Sequence, residues 1–294
     1  MSMPFAKTDA LPAAAVEELG RPSGPRIRRI RAGNAGPFTF MGTNSYVLGE
    51  GTVTLIDPGP EDAAHLAALL AALGGERVER ILVTHTHRDH TGGLSALQAA
   101  TGAATLGFGP HQTPPGPGAE GADHDFQPQH RLADGATVAG EGWRLTALHT
   151  PGHCANHLCF ALEDHGILFG GDHAMSCSTS VVIPPDGDMA DYMAALARVA
   201  AREWSMLLPG HGAPLAEPGA LLHALLAHRR EREQLVLVAL GQHGPAPLEV
   251  LVPAVYGPID PRLVRAAGHS LLAHLRKLAA EGAAAEQAGL WRGR

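Results

Sequence analysis

Within six residues, His85-Thr86-His87-Arg88-Asp89-His90, the chain sets three imidazoles and a carboxylate directly after the apolar run Ile81-Leu82-Val83. Imidazole and carboxylate are donors for divalent metals, so this stretch is a metal-site candidate before anything else is considered. On extended backbone, residues two apart point the same way, so His85 and His87 can converge on one ion. Asp89 and His90, in the turn that follows, can face a neighbouring point. Two ions rather than one are the natural reading. The run Val78 to Val83 reads as a strand that delivers the cluster at its C-terminal end, where sheets with helices on their faces place ligands. Gly92 and Gly93 then let the backbone come close, and Leu94 to Ala100 reads as a helix whose N-terminus points back at the cluster. The competing reading is a polar loop that is His-rich by chance, since the chain has 18 His.

The flanking pattern is that of a mixed sheet. Arg26 to Ile30, Thr43 to Leu48 and Val53 to Asp57 are strand-like and separated by Gly-bearing turns. Glu61 to Leu73 carries Leu66, Leu69, Leu70 and Leu73 at helical spacing and ends at Gly74-Gly75. Residues 109 to 131 form a Pro/Gly/His-rich segment, including Pro114 to Gly118, whose length suits a functional lid or a mobile excursion. Its His111, His124 and His130 are minor candidates for substrate contact. Strand signals resume at Ala136 to Val138, Trp143 to Leu148, His157 to Leu162 and Ile167 to Phe169. A helix over Met189 to Arg202 and a strand over Trp204 to Leu208 follow. Several of these strands end in a Gly/Pro turn bearing His or Asp: His149-Thr150-Pro151-Gly152-His153, Gly170-Gly171-Asp172-His173 and Pro209-Gly210-His211-Gly212. Each such turn can deliver one ligand to a common rim.

The ordered set His85-x-His87-x-Asp89-His90, His153 in Thr-Pro-Gly-His, Asp172 in Gly-Gly-Asp and His211 in Pro-Gly-His-Gly resembles the metallo-β-lactamase superfamily over residues 26 to about 215. The resemblance implies an α/β fold, an αββα sandwich with the metals at one edge. It also implies that His85, His87 and His153 bind one ion, that Asp89, His90 and His211 bind the other, and that Asp172 bridges them. Asp57 in Ile-Asp-Pro-Gly matches the family's further carboxylate, which supports the metal loops from behind. With five His, two carboxylates and no thiolate, two Zn2+ are the leading expectation, and Fe or Mn is allowed by the same donors. Hydrolysis is the expected chemistry, with Asp89 orienting the attacking water. His149, His157 and His173, beside the ligand turns, are candidates for the proton donor. The intact Asp172 disfavours a true β-lactamase, and Asp172-His173-Ala174-Met175 lacks the Tyr that acyl-homoserine lactonases carry there. Hydroxyacylglutathione thioesterases share the full set.

Residues 223 to 294 read as three helices, His223 to Leu240, Pro247 to Val255 and Arg262 to Ala280, then a hairpin over Ala283 to Arg292. That pattern is a winged helix, and Ser270 to Leu278 with Glu281-Gly282 resembles the winged-helix tail of the lactamase-beta-like subgroup. Some members of that subgroup are endoribonucleases selective for single-stranded RNA. The tail from residue 225 carries nine Lys/Arg against six Asp/Glu, so with a chain total of -7 the remainder stands at -10. A modestly basic tail on an acidic body is compatible with gripping a short strand, yet it is far from the basic stripe of a strong binder. An aromatic content of 4% leaves few rings to stack bases. The leading expectation is still a hydrolase of phosphodiesters in single-stranded RNA. The alternative is a hydrolase of small esters or thioesters of the hydroxyacylglutathione type, or weak lactonase or β-lactamase activity, and a nucleic-acid-binding regulator with a vestigial site is disfavoured by the complete ligand set. Winged helices also serve as packing or dimerisation modules, which makes a homodimer a further expectation. The domains expected are an N-terminal arm over 1–25, a catalytic domain over 26–222 and a winged-helix-like domain over 223–294. Three Cys make a disulfide framework implausible, no apolar run approaches the ~18 residues of a membrane span, and residues 1 to 25 fit no secretory or transit leader. A cytoplasmic location follows as the expectation, with the first 25 residues a loosely held arm.

Overall fold

Two sheets face each other, and the alternation of side chains along their strands decides what lies between and outside them. The computed structural model describes residues 3–6, 9–20, 24–116, 119 and 121–294. Pro117, Gly118 and Glu120 of the long Pro/Gly segment, and residues 1, 2, 7, 8 and 21–23 of the expected arm, lie outside the described residues.

The first sheet holds seven strands in sequence order: β1 (Val16–Glu18), β2 (Ile27–Arg31), β3 (Asn44–Glu50), β4 (Thr52–Ile56), β5 (Arg77–Leu82), β6 (Ala104–Gly107) and β7 (His130–Arg131). The first four pair antiparallel, and β4 through β7 pair parallel. Parallel neighbours need crossovers, and α1 (Ala63–Leu73) supplies the first. It starts at Asp62, whose carboxylate accepts from Ala64 N–H, and stops at Gly74 in the left-handed region. After β5 come a single turn, α2 (Arg88–Thr91), and then α3 (Leu94–Thr101).

The second sheet orders β8 (Thr137–Gly140), β9 (Trp143–His149), β10 (Leu158–Leu162), β11 (Ile167–Gly171), β12 (Met206–Pro209) and β13 (Leu215–Ala216), with α4 (Met189–Ala200) between β11 and β12. Strand β10 shows the layering rule. Leu158, Phe160 and Leu162 enter the core between the sheets with Tyr46, Leu48, Ile56 and Leu208. Cys159 and Ala161, on the other face, join an outer core with Tyr192, Leu196 and Val199 of α4. The outer face of the first sheet is covered in the same way, with Val47, Leu55 and Ile81 under Leu69, Leu73 and Leu97. The result is the expected αββα sandwich. Because both faces of β10 are covered, it reads as a continuous apolar run, and burial of Phe160 alone contributes about 2–3 kcal/mol.

The arm is less loose than expected. Strand β1 pairs with β2, and Asp9 forms an ion pair of 2.8 Å with the buried Arg29, whose guanidinium also donates to Gly212 O at 3.0 Å. Sequence reading missed β1 because Val16-Glu17-Glu18 has no apolar alternation. It is an edge strand held by charge, Glu18 to Arg26 and Glu17 to Arg29.

At the other end, α5 (Gly219–His243), α6 (Leu248–Tyr256), α7 (Val264–Ala280) and the hairpin β14 (Ala284–Gln287) to β15 (Leu290–Gly293) form the winged helix. Its core joins Val236, Leu240, Leu251, Leu271, Leu275 and Trp291. Helix α5 runs through residues 222 and 223, the expected junction of the two domains. Its Leu221, Leu222, Leu225 and Leu226 belong to the body's outer core, and Val236, Ala239 and Leu240 to the tail's. No described helix is long and apolar enough to cross a membrane.

Candidate metal centre

All seven expected ligand residues meet at one edge of the sandwich. The run after β5 brings His85 Nε2 to 2.9 Å from His87 Nδ1, and the turn after β9 brings His153 Nε2 to 3.0 Å from the same atom. The other nitrogen of His153 lies 2.6 Å from Val181 O, which fixes Nδ1 as its donor and leaves Nε2 as a lone pair. Three ring nitrogens therefore converge where hydrogen bonding cannot satisfy all of them and a shared cation could.

The second group is acidic. His211 Nε2 lies 3.2 Å from Asp89 Oδ2 and 3.3 Å from Asp172 Oδ2, while His90 Nε2 lies 3.4 Å from Asp89 Oδ2 and 3.3 Å from Asp172 Oδ1. Asp172 Oδ2 is also 3.6 Å from His153 Nε2, so this carboxylate stands between the two groups of imidazoles. His90 Nε2 and Asp172 Oδ1 are buried without a hydrogen-bond partner, because the 3.3 Å between them is not aligned for one. Orphaned donor and acceptor atoms that face each other across this short gap are what a ligand set looks like. His85, His87 and His153 can hold one ion, and Asp89, His90 and His211 another, each group having its ligand atoms within 4.8 Å.

Supporting contacts aim each ligand. Asp57, at φ 55° after β4, accepts from Thr84 N at 2.8 Å and Thr84 Oγ1 at 2.7 Å, and takes His90 Nδ1 at 2.8 Å. It thereby turns His90 Nε2 toward the site. Asn44 Nδ2 and Tyr46 Oη donate to Pro209 O at 2.9 and 2.7 Å, holding the turn that carries His211. Thr43 donates to Asp89 Oδ2 at 3.1 Å. Ser180 donates to Asp172 O at 2.5 Å. A Cβ at Gly210 would lie 2.4 Å from Asp172 Oδ1 and 2.8 Å from His90 Cε1, so only glycine lets that backbone pass.

The electrostatics divide the same way. Burial, reinforced by neighbouring imidazoles, pushes His85 well below the usual range and His87 down to about 4, so both are neutral donors. At His90 burial is overridden by the carboxylates of Asp89, Asp172 and Asp57, and at His211 by Asp172 and Asp89, which raises His211 to about 9. For Asp89 and Asp172 burial opposes ionisation, but the charges of His90 and His211 outweigh it and hold both carboxyls below the usual range. Metal and proton compete for these nitrogens.

The three candidates for proton donor surround this set in different ways. His157 Nδ1 meets Thr150 Oγ1 at 2.8 Å and its Nε2 accepts from Asp172 N–H at 3.1 Å, so it positions Asp172. His173 is buried and pushed down to about 3 by burial, and His149 stacks on Phe108 and donates to Ala155 O. His157 thus supports a ligand, whereas neither nitrogen of His173 has a hydrogen-bond partner. His130 is exposed in β7, whereas His111 and His124 come together near Thr86. Sequence reading missed Thr43, Ser180 and the backbone acceptors Val181 O and Gly42 O, the last 3.3 Å from His211 Nδ1. The loop carrying Gly42 also presents Phe38 and Met41, 55% and 50% exposed, and the Phe40 ring 6.3 Å from that of His211. These form an apolar lip beside the site.

Comparison with known proteins covers both parts of the chain. Residues 38–211 match the metallo-beta-lactamase superfamily and residues 248–291 the beta-lactamase associated winged helix domain. An atrochrysone carboxyl ACP thioesterase from Claviceps purpurea is 32% identical over 247 residues, covering 79% of this chain and 73% of that protein. The solved structure of a metallo-beta-lactamase family protein from Thermus thermophilus is similar with a TM-score of 0.75 at 26% identity, covering 91% of this chain and 98% of that one. A further structure, TTHA1623, solved in a di-iron-bound form, is similar with a TM-score of 0.51 at 27% identity over 63% of this chain and 93% of that one.

Proposed function

Given that the chain belongs to the metallo-beta-lactamase superfamily, we propose that it is a dinuclear metal-dependent hydrolase of acyl thioesters. The observation that carries the metal is the meeting of His85, His87 and His153 nitrogens 2.9 to 3.0 Å apart, with Asp172 between them and the acidic group. His85, His87 and His153 would hold one ion, Asp89, His90 and His211 the second, and Asp172 would touch both. Zinc suits this nitrogen and oxygen set; the relative solved with two irons makes iron the alternative. When bound, the ions supply Lewis acidity and a strong nucleophile at neutral pH.

The chain's own residues do the rest. Asp89, at 26% the most exposed of the site's carboxylates, takes Thr43, His90 and His211 on Oδ2. Its Oδ1 orients the attacking water and takes its proton. Asp57, Val181 O and Gly42 O hold the imidazoles in place, so little reorganisation is needed as charge develops.

Two observations favour a thioester over RNA. The lip of Phe38, Phe40 and Met41 offers apolar contact to an acyl group, and the relative from Claviceps purpurea is named an acyl-carrier thioesterase. Meanwhile several cations of the winged helix are engaged: Arg229 lies over Tyr192, Arg232 over Tyr256, Lys277 on Glu233 and Glu281, and Arg262 on Asp260. Metal-loaded protein tested against acyl-N-acetylcysteamine and carrier-bound thioesters, and in parallel against single-stranded RNA, separates the readings. Thiol release that disappears in Asp89→Ala and His87→Ala supports the proposal. RNA cleavage lost in the same variants, without thioester turnover, overturns it in favour of the nuclease.

A further inference from the structure

Beside the seven-residue site, His111, Cys154 and Asp186 form a second concentration of ligand chemistry. Their donor atoms lie within 4.8 Å of one another, and His111 Nε2 is 3.8 Å from Asp186 Oδ1. The His111 side chain is 1% exposed, and its Nε2 is buried with no hydrogen-bond partner. An orphaned ring nitrogen at that depth is costly unless something binds it. Its other nitrogen lies 2.8 Å from Thr86 Oγ1, which holds the ring in place. Three separate segments meet here: the long loop through His111, the turn after β9 through Cys154, and the approach to α4 through Asp186.

A Cys, His and Asp together also describe a thiol nucleophile with its base. Enclosure argues against that, because Cys154 is fully buried and no substrate atom can reach its sulfur. A metal suits the set better. Tetrahedral zinc, at roughly 2.0–2.3 Å from its donors, spaces them roughly 3.3–3.6 Å apart, so contraction by a few tenths of an ångström collects the closest pair.

We propose that His111, Cys154 and Asp186 form a separate mononuclear site for a borderline-soft divalent ion of the zinc type, which pins the start of the long loop to the backbone of the hydrolytic centre. The ion exchanges water for the sulfur, nitrogen and oxygen donors, and Cys154 gives its thiol proton to solvent; nothing is oxidised or reduced. Thr86 sits between His85 and His87 and bonds both His111 and Asn156, so the pinned loop buttresses the first ligand run.

Cobalt(II) loading of the full chain tests this. The seven-residue site holds no thiol, so a thiolate-to-cobalt absorption in the near ultraviolet reports on Cys154. Cys177, which lies against Gly212 beside His211, is controlled by Cys177→Ser. The band is expected in the wild type and in Cys177→Ser and absent in Cys154→Ser. Bound metal is expected to fall by one equivalent per chain in His111→Ala, a loop variant that keeps the test open should Cys154→Ser misfold. A wild type without the band, a band that persists in Cys154→Ser, or an unchanged metal content in His111→Ala overturns the proposal. Each readout is a difference between variants, so it holds whatever number of ions the hydrolytic centre takes.

Discussion

The metal edge and the winged helix are built on opposite rules. At the edge the interior is polar: Thr43, Asn44, Asp57, His85, His90, Asp172 and His211 are all buried, and the supporting contacts are hydrogen bonds to backbone carbonyls or carboxylates. In the winged helix the core is mainly apolar, Leu251, Leu271, Leu275 and Trp291, with His274 and Ser270 of α7 and Arg229 of α5 also buried, and other charges sit in pairs nearer the surface. Stability in the first region depends on satisfying donors, and in the second on filling volume.

Substitutions can break that contrast. The largest effect is expected at Asp172→Ala, which removes the carboxylate between the two groups of imidazoles. A loss of about 4 kcal/mol of transition-state stabilisation corresponds to roughly a thousandfold in kcat/KM, measured as thiol release with thermal stability monitored beside it. Trp291→Ala should do the reverse, costing about 3 kcal/mol of stability by denaturant titration while leaving kcat/KM within a few-fold. A large kinetic loss there would make the tail part of the active centre. Asp57→Asn keeps the shape but weakens the hold on His90, and a loss of about 10- to 100-fold in metal affinity is expected by chelator competition.

The smallest effect is acid sensitivity. Burial holds His65, bonded to Ser45 in the body, and His228, on α5, each down to about 4. A histidine depressed in the folded state is protonated more readily in the unfolded chain, so its contribution is present above the unfolded value of about 6.5 and is lost as pH falls toward 4. For His65, about 1 kcal/mol should vanish between pH 6.5 and 5.5, and a His65→Asn variant should show a flatter profile in melts across that range. His228 is half-buried and should contribute less.

How legible each region was in the sequence follows from the same contrast. Ligand chemistry is written in residue identity, so His85, His87, Asp89, His90, His153, Asp172 and His211 could be singled out, and Gly/Pro turns marked where each is presented. The supports were invisible where the partner is a backbone carbonyl, as at Val181 and Gly42, or where an ordinary Thr43 or Ser180 acquires its role only through the fold. The cluster of His111, Cys154 and Asp186 was hidden because its members are separated by tens of residues and lie in segments without periodicity. The main strands and helices were readable from alternation and helical spacing. The two-residue strands β7 and β13 and the charged edge strand β1 carry too little pattern to read.

Helix α5 limits how freely these two parts can be exchanged. Its first turns complete the body's outer core, and the buried Arg229 donates to Ser180 O while lying 5.2 Å from the Tyr192 ring. Ser180 in turn holds the backbone of Asp172. A body cut at residue 222 would lose Leu225, Leu226 and this strut together, so the winged helix is not a detachable module. Grafting a foreign tail would preserve the centre only if the graft begins beyond Arg229, and it is at that seam that chimeras of this architecture should be joined.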